Sequence, residues 1–254
     1  PTQPQYHRDR HALEARQFFL RKHPHDNVAY LAYFQAGSNT YMPLSVMQCY
    51  ISQALSVPGV RGIVLATRPD CLSTSWLDYL EHLSRQTFVM VELGIESVND
   101  DVLRQIGRGH DVATSAQAVR QLHLRGIHVG VHFILGLPGE SRESQLQQAF
   151  EASRWQVDSV KLHQLQILRG SRFARQYAEF PERFSLFSLP DYVSLVADFI
   201  ERLHPAIAVE RFVSQSPASL LIAPRWGVKP DEVVRLVCST LAERRTHQGI
   251  LCPL

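Results

Sequence analysis

Apolar runs recur along the chain at nearly even intervals, each followed by a polar turn and then a helical pattern. Val28 to Phe34, Gly62 to Thr67, Phe88 to Ile95, Ile127 to Leu135 and Asp158 to Leu168 read as strands. Ile207 to Val213 is a shorter, weaker sixth, with Glu210 and Arg211 at its centre. Val28 to Phe34 is continuous enough to predict a strand buried on both faces. Between the strands, apolar residues recur every three to four positions. Leu44, Met47, Ile51 and Leu55 share one helix face behind Pro43. A helix capped by Ser73 or Ser75 runs to Leu83, and others are expected over Val112–Arg125, Glu143–Trp155, Asp191–Leu203 and Pro230–Arg245, with a helical patch at 12–21. Glu96 to Asp111 and Ser214 to Pro224 read as loops, and the pattern loosens after Phe173. Alternating strands and helices of this length predict an α/β domain on a parallel sheet. Its chemistry belongs at the carboxyl ends of the strands.

Several residues break the apolar pattern where breaking it is costly. Glu92 lies inside an apolar strand, where an unpaired carboxylate costs several kcal/mol, so it must meet a cation, a donor or a ligand. Lys161 and His163 alternate along one strand and therefore share a face, which predicts a site-lining surface. Gln35-Ala36-Gly37 follows the first strand; small and amide residues there let a ligand approach the backbone.

Composition narrows the class without naming a chemistry. The chain has 254 residues, 45% hydrophobic and 20% charged, enough for one large core. No apolar run reaches the length of a membrane span, and the polar, basic opening argues against a signal peptide. A net charge of +2 gives no global case for nucleic-acid binding. Cys49, Cys71, Cys238 and Cys252 form no metal knuckle and read as reduced thiols of a cytoplasmic protein. His7, His11, His23 and His25 lack the Cys or acidic partners that would complete a metal site.

The loop motifs, taken in order, resemble the radical S-adenosylmethionine (SAM) superfamily, and within it the Elongator-subunit-like and YhcC-like branch. Glu92-Leu93-Gly94-Ile95-Glu96-Ser97 is similar to its E-L-G-L-Q-T, Gln105 to Asp111 to its I-N-R-G-H-D segment, and Gly136-Leu137-Pro138-Gly139-Glu140 to its G-L-P-G-E. Tyr33 to Tyr41, Thr67 to Asp70, Val157 to Leu165 and Leu220 to Trp226 extend the likeness over about residues 30–245. The resemblance implies a partial TIM-like (β/α)6 barrel lacking its first strand, over 28–180. A polar segment, 1–27, precedes it and a C-terminal α/β extension, 181–254, follows.

It also implies roles. Gln35, Ala36 and Gly37 would hold the amino group of SAM, and Arg108 its carboxylate through a guanidinium fork. Glu96 stands where relatives carry a Gln that contacts the ribose; a carboxylate accepts there but cannot donate. Glu92 and His132 would lie near SAM, and Gly136 would offer backbone to the adenine edge. Leu65 and Ala66 replace a carboxylate that some relatives use on the ribose. Lys161 and His163 are left for a substrate, tRNA or a small molecule. The family's [4Fe–4S] cluster needs a C-x3-C-x2-C loop after the first strand, and this sequence has none. The chain is expected to begin about where that loop ends. It is therefore expected to be inactive alone and to leave an open sheet edge, or one covered by 1–27. A flavodoxin or ferredoxin would supply electrons to the intact enzyme. The alternatives are a cluster-less SAM-binding or scaffold protein, or an unrelated (β/α)8 enzyme.

Overall fold

The structure, a computed structural model, describes residues 29–35 and 37–253. The helical patch at 12–21, the four-histidine cluster and Ala36 lie outside the described residues. So does any cover that 1–27 gives the sheet edge.

Six strands form one parallel sheet in the order β1-β2-β3-β4-β5-β7. They are β1 (Tyr30–Phe34), β2 (Val60–Thr67), β3 (Phe88–Glu96), β4 (His128–Leu135), β5 (Ser159–Gln164) and β7 (Ala208–Arg211). Helices α1 (Leu44–Ser56), α2 (Thr74–Ser84), α4 (Val112–His123) and α5 (Arg142–Trp155) connect successive strands, and α7 (Leu189–Arg202) precedes β7. A short α3 (Asp100–Ile106) lies between β3 and α4, and α6 (Arg172–Glu179) follows β5; α8 (Pro230–Arg244) is the last helix among the described residues. Local chemistry sets the starts. Ser73, Asp111, Ser141 and Ser188 each accept from a backbone N–H of the first turn.

One face of the sheet packs on the helices. Ile63, Leu65, Val91, Leu93, Val129, Val131, Phe133, Val160 and Leu162 are fully buried there, against Met47, Ile51, Leu80, Leu122, Ala149 and Phe199. Each buried Val, Leu, Ile, Met or Phe side chain among them contributes about 1.5–3 kcal/mol. The other face is concave. Neighbouring strands lie about 4.8 Å apart, so β1 and β5 would stand about 19 Å apart in a flat sheet. Yet Lys161 Nζ of β5 lies 3.3 Å from the Tyr33 hydroxyl of β1. The sheet is therefore curled into a half-barrel. Small residues on its inner surface permit the curl: a Cβ on Gly62 would stand 2.3 Å from the Phe88 carbonyl oxygen.

Four sequence expectations need correction. β1 is not buried on both faces: Leu31 and Tyr33 are 46% and 39% exposed. Among the described residues β1 is an edge strand, and these two residues line the open concavity. The stretch 158–168 is not one strand; it breaks after Gln164, and β6 (Ile167–Leu168) pairs antiparallel with β8 (Leu221–Ala223), inside the expected 214–224 loop. Glu96 to Asp111 contains α3, which Asn99 caps from Oδ1 and left-handed Gly107 ends. The region after Phe173 holds α6, whose Phe173 and Tyr177 pack on Phe184.

Candidate functional site

The concave face carries an unusual density of polar groups. Strand alternation turns Tyr33, Glu92, His132, Lys161, His163 and Glu210 toward the same side, and pairing aligns His132 with Lys161 and Ile134 with His163. Glu92 is the hub, with only 2% of its side chain exposed. Lys161 Nζ donates to its Oε1 at 2.5 Å. The Tyr33 hydroxyl, at 2.5 Å, and His132 Nε2, at 2.8 Å, both reach Oε2. Burial alone would raise the Glu92 carboxyl; the bonds from His132, Lys161 and Tyr33 override it and hold the group at about 2. Burial works against the Lys161 ammonium as well, but Glu92 keeps it charged and above its ordinary value. Glu210 Oε2 stands 3.3 Å from Lys161 Nζ, and Ser159 Oγ donates to Glu210.

The His163 ring lies against that of His132, tilted by 33° with 5.4 Å between ring centroids. Its Nδ1 lies 2.5 Å from Ser214 Oγ, and its buried Nε2 has no hydrogen-bond partner among the described residues. Burial first, then the positive charges around it, push it down to about 3, so it is a neutral imidazole.

The rim is built from the carboxyl ends of the strands. β3 ends in a bulge at Glu96, whose φ of 73° is left-handed, a conformation that costs a non-glycine residue about 1 kcal/mol or more. Arg108 reaches back over this bulge, donates to the Gly94 carbonyl and sits 3.1 Å from Glu96 Oε1. Arg108 Nε is buried without a hydrogen-bond partner among the described residues. Burial raises the Glu96 carboxyl, against the pull of Arg108 and His132. After β1, Gln35 is exposed, and Gly37, with φ 73°, has open space where a Cβ would be. Asn39 Nδ2 fastens this loop to the carbonyls of Phe34, at 2.9 Å, and Ala66, at 2.8 Å. After β4, Gly136 donates its N–H to Gln145 Oε1 at 2.9 Å and lies under the Phe187 ring. Arg68 and Arg172 flank Gly109 and Gly107 at the same rim.

Of the residues singled out from sequence, Glu92, His132, Lys161 and His163 thus meet on the inner face. Glu96 and Arg108 pair at the rim, and Gln35, Gly37 and Gly136 border it. Tyr33 and Glu210 complete the inner network, yet were not assigned to it. Both have a signal: a polar group on an apolar strand at the inward phase of the period-two alternation.

Residues 22–147 match the Radical SAM superfamily, and residues 157–243 match the Radical_SAM C-terminal domain. YtqA of Bacillus subtilis is 36% identical over 220 residues, 87% of this chain and 68% of that protein. This chain belongs to the radical SAM superfamily. YhcC of Escherichia coli is 34% identical over 198 residues, 78% of this chain. The solved structure of the archaeal Methanocaldococcus infernus Elp3 superposes with a TM-score of 0.80 over 92% of this chain at 19% identity, and so shows the shared half-barrel. The chain spans 63% of YhcC and 58% of the Elp3 chain. The Elongator-like and YhcC-like likeness of the motifs is therefore matched in sequence and in fold.

The radical SAM family uses SAM and a [4Fe–4S] cluster. Arg108 Nε, without a partner among the described residues, could hold a carboxylate such as that of SAM, and the Gly37 loop leaves room at the rim. The cysteines do not fit the cluster. Cys49 lies on α1, Cys71 after β2, Cys238 on α8 and Cys252 beyond α8, all as free thiols. Among the described residues, no group of three or more His, Cys, Asp or Glu is placed to hold a metal ion. No helix among them is long and apolar enough to cross a membrane.

Proposed function

We propose that this chain is the SAM-holding barrel of a radical SAM enzyme, with SAM across the rim and substrate on the inner face. The observation that carries the reading is Arg108. It is anchored by the Gly94 carbonyl and Glu96 at a strained strand end, and its buried Nε lacks a partner among the described residues. A guanidinium so placed fits a carboxylate. In this reading Gln35, Ala36 and Gly37 receive the amino group, Glu96 accepts from the ribose hydroxyls, and Gly136 borders the adenine. Glu92 and His132 fix the floor beneath SAM. Lys161 offers a charge and His163 a neutral nitrogen to the substrate, which is tRNA or a small molecule. When bound at a cluster, SAM supplies a 5′-deoxyadenosyl radical. A flavodoxin or ferredoxin, in the cytoplasm, is the proposed electron donor.

Equilibrium dialysis with labelled SAM tests the rim. The wild-type chain is expected to bind, and Arg108→Ala to bind at least about tenfold more weakly, the loss of one charge-assisted contact. Equal binding by the two, or none by either, overturns the reading. Iron and acid-labile sulfide measured on the natural polypeptide then separate a radical enzyme from the alternative, a cluster-less SAM-binding or scaffold protein.

A further inference from the structure

Three side chains just behind the rim have no place in the site above. Ser97 follows β3 and is fully buried, Glu140 ends the loop after β4, and Gln148 is fully buried on α5. Ser97 Oγ donates to Glu140 Oε1 at 2.5 Å and accepts from the Asn99 N–H at 3.1 Å. Gln148 Nε2 donates to the same Glu140 Oε1 at 3.1 Å. Glu140 Oε2 and Gln148 Oε1 are both buried and both without a hydrogen-bond partner among the described residues.

This distribution is not that of a carboxylate. An ionised carboxyl has two equivalent acceptor oxygens, and a buried one recruits donors to both. Here one oxygen takes two donors and the other none, which is the division between a carbonyl and a hydroxyl. The Gln148 amide shows the same asymmetry, with its donor engaged and its acceptor idle. One proton on Glu140 Oε2, donated to Gln148 Oε1, would satisfy both orphans at once. We infer that Glu140 is a neutral carboxylic acid whose O–H donates to Gln148 Oε1, closing a cyclic acid–amide pair. That pair clamps the loop after β4 to α5 and, through Ser97, to the end of β3.

The surroundings favour the neutral form. Ser97 after β3 and Gln148 on α5 bond to Glu140, and Gln105 and Val102 of α3 stand beside Gly139; none of the four carries a charge. Burial pushes the carboxyl up to about 7, against the bonds from Ser97 and Gln148. The proton thus makes Glu140 a positioning residue for both rim loops, whichever ligand the rim takes. Losing it puts a buried charge against an amide oxygen and loosens the clamp.

Glu140→Gln supplies the test, because its NH2 replaces the acid O–H at every pH. The folded value lies above the ordinary 4.5, so the wild type loses stability as pH rises from 4.5 to about 7, and no further above that. The folding equilibrium constant of Glu140→Gln relative to wild type is therefore expected to grow by about tenfold per pH unit in that window. Groups common to both proteins cancel in the ratio. Infrared spectra of the wild-type chain with 13C-labelled glutamate, which need no variant to fold, should show a carboxylic-acid carbonyl band at pH 6 that disappears with a midpoint near 7. A missing band at pH 6, or a stability ratio flat between pH 4.5 and 7, overturns the inference.

Discussion

Replacing Lys161 by Met tests whether the inner face is held by charge. The Lys161–Glu92 contact is 2.5 Å long and both side chains are buried. Coulomb attraction at that distance, with an effective dielectric near 20, is about 7 kcal/mol before desolvation is subtracted. Removing one partner of a buried pair typically costs about 3–5 kcal/mol, because the other is left as an uncompensated charge. Glu92 keeps Tyr33 and His132 as donors, so the low end, about 3 kcal/mol, is expected at pH 7. For a chain of this size that corresponds to about 6–12 °C in Tm. A pH signature separates lost charge from lost packing. In the wild type Glu92 is held at about 2, so its contribution, about 3 kcal/mol, is fully present above pH 4.5 and is lost as pH falls through 2. Without Lys161 the Glu92 carboxyl rises, and protonating it relieves the stranded charge. The gap between Lys161→Met and wild type should therefore shrink from pH 7 to pH 4 in urea unfolding followed by circular dichroism. Adding Glu92→Gln should recover at least about 1.5 kcal/mol, since the double variant strands no carboxylate there. A gap below about 1 kcal/mol at pH 7, or one unchanged at pH 4, would refute the argument.

Two further substitutions probe the frame around this site. Gly62→Ala drives a Cβ to 2.3 Å from the Phe88 carbonyl oxygen and 2.6 Å from its Cβ, both on a neighbouring strand that cannot step aside. It should cost about 3 kcal/mol, seen as a Tm drop of 6 °C or more; a drop under 2 °C would mean the curl tolerates a side chain there. Tyr192→Phe removes the fully buried hydroxyl that donates to the Phe212 carbonyl at 2.6 Å. A loss of about 1–2 kcal/mol is expected, as a lower urea midpoint with unchanged slope, and a neutral result would mean that another donor reaches that carbonyl.

Much of the frame was legible because periodicity reports burial. The continuous runs at Gly62–Thr67, Phe88–Ile95 and Ile127–Leu135 supply the apolar face that packs beneath the helices, and their length and content mark them as strands of a parallel sheet. The rim motifs were legible for a related reason. Left-handed turns such as Gly37 and Gly136, and caps such as Asp111, impose a residue type locally, so their spacing survives as text. β1 was misread because Val28–Phe34 carries no mark of whether another strand lies beside it. The short α3 and the β6–β8 ladder were missed because seven and two residues are too few for a period to show.

Sequence by itself determined the alternation of strands and helices, the loops that carry the family motifs, and the demand that Glu92 find a partner. It determined none of the partners. Tyr33 and Lys161 stand 128 residues apart, and they meet only because the sheet curls. The pairing of Glu96 with Arg108 depends on a bulge and a left-handed residue whose cost is met by packing elsewhere. The proton inferred on Glu140 follows from which of two chemically identical oxygens the folded chain supplies with donors. Pairings across the sheet, and the local dielectric they create, are properties of distance in space, which only the tertiary structure sets.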